Sequence, residues 1–180
     1  IDLDTLRING ERLWASLMEL AQIGATPKGG VCRLTLTDLD KQGRDLVLGW
    51  ARDAGMSVTI DKIGNGFMRR SGRNNALPPI MTGSHIDTQP TGGKFDGNYG
   101  VLAGLEVVRT LNDLGIETEA PIDLVVDVAA AELAAFGVVA DQIGDRSAHL
   151  QHAVRIVVKL GIAPVPRDQA HVAVGDTDAL

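Results

Sequence analysis

Aromatic residues, cysteine and clustered positive charge are all scarce in this sequence. Only 3% of its 180 residues are aromatic, so aliphatic side chains must build the core, which suits helices packed on a sheet better than a small β-sandwich. The single cysteine, Cys32, excludes an internal disulfide and favours a reducing, cytoplasmic location. The net charge is -6, and no basic cluster exceeds Arg69, Arg70 and Arg73, which argues against a nucleic-acid partner. A small-molecule substrate is therefore the expected partner.

Long apolar segments are also missing. No apolar run approaches the roughly 18 to 20 residues that span a bilayer, and no charged and then apolar leader precedes Ile1. We therefore expect no membrane partner. With 44% hydrophobic residues, the chain is nevertheless long enough to form one domain with a substantial core.

The spacing of apolar residues predicts a layered α/β domain. Helices are predicted after Asn9, after Thr37 and from Gly97, the last with Glu106 on its polar face. The segments "MSVTIDK" and "GFMRR" predict two paired strands, and "PPIMTGSHID" and "PIDLVVDVA" predict two more. This order predicts an α/β fold of three layers with a mixed β-sheet.

The stretch "GSHIDTQPTGGKFDGNYG", from Gly83 to Gly100, contains the residues best suited to catalysis or ligand binding. One interpretation is a phosphate-binding loop, because glycines follow a strand and precede a helix. Their spacing does not match G-x-G-x-x-G, however, and Asp96 at the helix N-terminus would repel a phosphate. Another interpretation is an ordinary turn, in which His85 and Asp87 form a hydrogen-bonded pair and Asp96 caps the helix.

A metal site is the remaining interpretation of this stretch. On an extended chain His85 and Asp87 point to the same side, so Asp87 can orient an imidazole that binds a metal ion. Asp96 follows near the start of the helix and offers a carboxylate that could bridge two divalent ions about 3.5 to 4 Å apart. Spacing alone does not decide between this interpretation and the ordinary turn.

The longer segment "PPIMTGSHIDTQPTGGKFDGNYGVLAGLEVVRTLNDLGIETEAPID" resembles the N-carbamoyl-L-amino-acid hydrolases, and the resemblance extends back through "RINGERLWASLMELAQIGATPKGG". It covers about residues 1–126. These enzymes belong to the dinuclear-zinc aminoacylase and carboxypeptidase-like superfamily, with β-ureidopropionase and allantoate amidohydrolase as relatives. The resemblance implies that residues 1–126 are the N-terminal part of a zinc-exopeptidase-like catalytic domain.

The same resemblance implies a reaction and a site. The reaction is hydrolysis of the carbamoyl C–N bond of N-carbamoyl-L-amino acids, with two divalent ions (zinc, manganese, cobalt or nickel), and full-length members are expected to be homodimers. By this resemblance His85 is a metal ligand and Asp96 bridges the two ions. Asp87 is the carboxylate of the catalytic site that orients His85.

Residues 127–180 form an alanine-rich tail with no counterpart in the family. The family has Trp-Thr-Asn-Glu-Glu-Gly after the strand that corresponds to "PIDLVV", and its two glutamates are a general base and a metal ligand. This chain has "DVAAAELAAFG" there, so the glutamate positions fall on Ala130 and Ala131, and Glu132 is one residue late. The later histidines match neither of the family's remaining motifs: His149, His152 and His171.

Two interpretations fit this departure. Either the chain is a truncated or recombined product with an incomplete site, or it is a divergent protein whose tail supplies other ligands. We favour the first, because losing the base together with a ligand removes the chemistry. We therefore expect weak or absent hydrolysis by these 180 residues. The alternatives are a non-catalytic protein or interaction module that keeps the fold, and a related β-ureidopropionase or allantoate amidohydrolase.

Overall fold

A computed structural model describes residues 6–128 of the chain. This part contains α1 (Gly10–Leu20), α2 (Asp38–Asp53), β1 (Ser57–Ile60), β2 (Gly66–Arg70), β3 (Ile80–His85), α3 (Asn98–Asp113) and β4 (Ile122–Asp127). The order of helices and strands is the one predicted from the sequence. None of these helices combines the length and apolar character that crossing a bilayer requires.

The first two helices begin where the sequence predicts. Oδ1 of Asn9 accepts a hydrogen bond from the backbone N–H of Arg12 at 3.0 Å, and Oγ1 of Thr37 accepts one from the N–H of Asp40 at 3.3 Å. The carboxylate of Asp40 accepts from the N–H of Leu36 at 3.0 Å, one residue before the cap. Both helix starts are therefore determined by local side-chain caps.

The four strands form one mixed sheet in the order β1-β2-β4-β3. Strand β4 pairs antiparallel with β2 and parallel with β3, and His85 is in register with Asp127. Helix α3 connects β3 to β4. The carboxyl ends of the two parallel strands therefore meet at one edge of the sheet, which is where open α/β sheets bind ligands.

The hydrophobic core lies on one face of the sheet. Leu124 and Val126 of β4 are buried in a cluster to which all three helices contribute. The intervening Asp123 points to the opposite face, because side chains alternate along a strand, and Arg69 donates two hydrogen bonds of 2.7 Å to it there. All three helices of residues 6–128 thus contribute to the core on this face, and the predicted α/β fold with a mixed sheet is confirmed.

The prediction that Glu106 lies on the polar face of α3 is wrong, because its side chain is fully buried. Nε and Nη2 of Arg12 donate to both of its carboxylate oxygens at 2.7 to 3.1 Å, and Nη1 of Arg109 lies 3.9 Å from Oε2. Because two guanidinium groups offset the cost of burying the charge, Glu106 joins α1 to α3 instead of facing solvent.

Candidate active site at the end of strand β3

His85 is the last residue of β3, and its imidazole contacts Asp87. Nδ1 lies 3.1 Å from the backbone carbonyl oxygen of Asp87 and 3.2 Å from its carboxylate Oδ1. Because both neighbours of Nδ1 are acceptors, the arrangement assigns the ring hydrogen to Nδ1 in neutral His85. Nε2 is then the nitrogen with a free lone pair. The side chain of His85 is 33% exposed and that of Asp87 only 5%, so Asp87 supports the ring from the protein side.

The charges of the pair reinforce each other. The side-chain contact with Asp87 raises the pKa of His85 above its usual value, although burial opposes the shift, and the charge of Asp96 adds to the increase. Burial raises the pKa of Asp87, but its interactions with His85 and Thr35 outweigh burial and hold the pKa below its usual value. Oδ1 of Asp87 is buried and no donor of residues 6–128 reaches it with good hydrogen-bond geometry. We therefore regard its 3.2 Å contact with His85 as mainly electrostatic.

Asp96 lies beside the same histidine because of Gly97. Gly97 precedes α3 with a φ of 67°, and a Cβ atom at this position would lie 2.4 Å from the carbonyl oxygen of His85 and 2.6 Å from its Cε1. The backbone next to Asp96 is therefore in direct contact with the imidazole. Asp96 itself is exposed, and the N-cap position is Gly97, which has no side-chain cap. The interpretation of Asp96 as a helix cap is wrong.

The other glycines of "GNYGVLAG" pack α3 against the sheet. A Cβ atom on Gly100 would lie 3.0 Å from Cβ of Ser84. One on Gly104 would lie 2.8 Å from Cδ1 of Leu124 and 2.9 Å from Cγ2 of Thr82. These glycines face β3 and β4, and their role is close helix packing. The phosphate-loop interpretation therefore has no support in the structure.

Arg33 is a residue of this region that the sequence does not reveal. Its side chain is fully buried, and its guanidinium group donates to the carbonyl oxygen of Ile86, between His85 and Asp87. Arginine is rarely buried to this extent, and its neighbours in "GGVCR" form no pattern that distinguishes it from a surface residue. Only the tertiary contacts show its place.

Part of the predicted site lies outside the described residues. Within residues 6–128 no three or more His, Cys, Asp or Glu side chains are grouped so that they could hold a metal ion. The structure brings His85 and Asp87 together and places the chain at Asp96 beside them. The positions considered for the missing base and ligands all fall outside the described range: Ala130, Ala131, Glu132, His149, His152 and His171.

The fold is similar to that of a class of α/β amidases. A crystal structure of a hydantoinase/carbamoylase family amidase from Burkholderia ambifaria is 61% identical, with a TM-score of 0.67, over 67% of this chain and 30% of that chain. No protein-family model matches the chain.

Sequence relatives identify the aligned part more closely. An N-carbamoyl-L-amino-acid amidohydrolase from Rhizobium meliloti is 56% identical over 116 residues, which are 64% of this chain and 28% of the relative. A ureidoglycolate hydrolase from Oryza sativa is 33% identical over 118 residues, 66% of this chain and 24% of the relative. The chain thus spans less than a third of the length of these proteins. Its aligned part is homologous to the N-carbamoyl-L-amino-acid amidohydrolases, and the resemblance inferred from the sequence is confirmed.

Proposed function

We propose that residues 1–126 are the N-terminal part of the catalytic domain of a metal-dependent amidohydrolase. The substrate class is N-carbamoyl-L-amino acids, and the bond cleaved is the carbamoyl C–N bond. The observation that carries this proposal is the His85–Asp87 pair beside Asp96, at the carboxyl end of β3. It lies in a chain that is 56% identical over 116 residues to an N-carbamoyl-L-amino-acid amidohydrolase. In this proposal residues 127–180 are an unmatched tail that leaves the site incomplete.

The chemistry of His85 and Asp96 suits a divalent metal ion, although these two side chains alone do not complete a metal site. The contacts of His85 Nδ1 with Asp87 leave Nε2 as the nitrogen for a metal ion. The carboxylate of Asp96 is exposed, and no hydrogen bond to another residue of the 6–128 range occupies it. Imidazole and carboxylate suit zinc, manganese, cobalt and nickel. His85 and Asp96 would hold the metal, and a bound ion would polarise the carbamoyl group of the substrate as a Lewis acid.

The residues around these ligands determine their orientation. Asp87 accepts from Nδ1 of His85, which sets the tautomer and makes Nε2 more basic. Gly97 lies so close to the ring that a Cβ atom there would overlap with Cε1 and Nδ1 of His85. By resemblance the position of the general base falls on Ala130, an alanine outside the described residues. We therefore expect little or no hydrolysis by the chain as it stands.

Metal binding tests the ligand assignment. Zinc or cobalt affinity is measured for the chain and for His85→Ala and Asp96→Asn. Loss of a ligand should weaken binding by more than the roughly 10- to 100-fold typical of residues that only support a ligand. Asp45→Asn is the matched control, because this exposed carboxylate lies on α2 and pairs with Lys41. Equal affinities for all four proteins would refute the assignment.

Hydrolysis tests the incompleteness of the site. Release of ammonia from an N-carbamoyl-L-amino acid should stay at background for the 180-residue chain, with or without added metal. A chimera that joins residues 1–126 to the remaining part of the Rhizobium relative should hydrolyse the substrate, and His85→Ala in the chimera should abolish this activity. Robust metal-dependent turnover by the 180-residue chain would show that the site is complete. An inactive, well-folded chimera would favour a non-catalytic protein.

A further inference from the structure

We propose that Arg33 is a positioning residue that fixes the His85–Asp87 pair relative to the segment that carries Asp96. That this positioning serves a metal site rests on the proposed function, whereas the contacts of Arg33 are a property of the fold. Arg33 lies in the loop between α1 and α2, far in sequence from both parts of the site. Its contacts nevertheless reach both parts.

The guanidinium group of Arg33 uses all of its donors. Nε and Nη2 donate to the carbonyl oxygen of Ile86 at 2.9 and 2.7 Å, and Nη1 donates to the carbonyl oxygens of Leu20 and Ile23 at 3.1 and 2.8 Å. A second bond from Nη2 reaches Oδ1 of Asn98 at 3.0 Å. Five hydrogen bonds thus match the five N–H groups of the side chain, a number that lysine cannot supply.

These bonds hold the chain on both sides of Asp87. The side chain of Arg33 binds the carbonyl oxygen of Ile86, on the N-terminal side. The main chain of Arg33 binds Thr88, on the C-terminal side: its carbonyl oxygen accepts from the N–H of Thr88 at 2.7 Å, and its N–H donates to Oγ1 of Thr88 at 2.7 Å. The backbone of Asp87 therefore has little freedom, and its carbonyl and carboxylate oxygens stay beside His85 Nδ1.

The bond to Asn98 extends the same support to the segment before α3. Asn98 is the first residue of α3 and is itself buried. While its Oδ1 accepts from Arg33, its Nδ2 donates to the carbonyl oxygen of Lys94 at 3.1 Å. This hydrogen bond joins the two ends of the short segment that contains Asp96. Arg33 is thus hydrogen-bonded both to the residue that follows β3 and to the first residue of α3.

The surroundings of Arg33 accommodate an arginine specifically. Gly43 of α2 faces its side chain, and a Cβ atom there would lie 2.8 Å from Cδ and 3.0 Å from Nε of Arg33. The charges of Asp40 and Asp87 favour the buried cation, although burial lowers the pKa of Arg33. A glycine in the middle of a helix is unfavourable in itself, and here it provides the space for the guanidinium stem.

The test compares Arg33→Lys and Gly43→Ala with the parent chain in metal-free form. The ¹⁵N NMR signals of the His85 ring, assigned with His85→Ala, report its tautomer at a pH where the ring is neutral. The parent should show mainly the Nδ1–H form, and both variants should show an increased share of Nε2–H. Gly43→Ala keeps the guanidinium group and addresses the same question if Arg33→Lys does not fold.

Two controls separate positioning from a loss of stability. Arg12→Lys weakens the link between Arg12 and Glu106 away from the site, and Gly49→Ala adds a methyl group to α2 where nothing lies within 4 Å. Both should retain the parent tautomer. Parent-like His85 signals in folded Arg33→Lys and Gly43→Ala would overturn the proposal, and so would equal changes in the controls.

Metal affinity adds a second measurement. We expect zinc to bind roughly 10- to 100-fold more weakly to Arg33→Lys than to the parent, as when other supporting residues are changed. If the parent binds no zinc, the proposed function fails, but the tautomer comparison still decides the role of Arg33. If the parent binds zinc and the variant binds it equally well, the positioning role is refuted.

Discussion

Replacing Gly97 by alanine should disturb the fold and the candidate site together. Gly97 has a left-handed backbone with a φ of 67°. A Cβ atom there would lie 2.4 Å from the carbonyl oxygen of His85, 2.6 Å from Cε1 and 2.7 Å from Nδ1. The imidazole would have to move from Asp87, or the start of α3 would have to move from β3.

The structure allows the two contributions to be separated. Gly115 has nearly the same φ, 62°, but nothing lies within 4 Å of its Cβ position. Gly115→Ala should therefore lower the free energy of unfolding only by the cost of the left-handed backbone, about 1–2 kcal/mol. Gly97→Ala carries the same cost and also that of overpacking, roughly 1–3 kcal/mol, so its total is about 2–5 kcal/mol.

Urea unfolding of the parent and both variants measures this difference. With a slope of about 1–3 kcal/mol per molar urea, an extra loss of about 2 kcal/mol lowers the midpoint by roughly 1 M. Zinc affinity should decrease in Gly97→Ala and remain unchanged in Gly115→Ala, because only the first change touches His85. If the two variants lose equal stability, the contact between Gly97 and the imidazole does not exist as described.

Four further substitutions have defined outcomes. Gly104→Ala should lower the free energy of unfolding by roughly 1–3 kcal/mol, because the added methyl group overlaps with the sheet. Gly49→Ala adds a methyl group in open space on α2 and should raise the free energy of unfolding by about 0.5–1 kcal/mol. Chemical denaturation measures both changes. Glu106→Ala should cost about 3 kcal/mol, near the lower end for one partner of a buried ion pair because Arg12 is 31% exposed, and stability unchanged from the parent would contradict this account. In the metal-free chain the raised pKa of His85 stabilises the fold fully below the ordinary histidine pKa, and the stabilisation is lost as pH rises through the raised value. Asp87→Asn should lower the pKa of His85, as an NMR titration would show.

Local features of the fold were accessible from the sequence. The caps at Asn9 and Thr37 each act within three residues, so the helix starts follow from neighbouring side chains. The alternation around "MSVTIDK" and "GFMRR" predicted the strand pair for the same reason. The candidate pair His85 and Asp87 was also visible, because the two residues are two positions apart on an extended segment.

Contacts between distant segments were not accessible in this way. Glu106 was predicted on a polar face because its partner Arg12 lies 94 residues earlier, and helical periodicity carries no information about such a pairing. The role of Gly97 depends on how closely α3 approaches β3. Arg33 shows the same limit, since the four acceptor atoms of its five hydrogen bonds come from segments that meet only in the folded chain.

The sequence by itself determined the element order, the aliphatic core, the His85–Asp87 pair and the homology to N-carbamoyl-L-amino-acid amidohydrolases, because each depends on residue identity or on spacing within one segment. The tertiary structure decided that Asp96 approaches the histidine through Gly97, and that Arg33 supports both parts of the site. The physical reason is that buried polar groups need partners, and those partners are supplied by whichever segments the sheet and helices bring together.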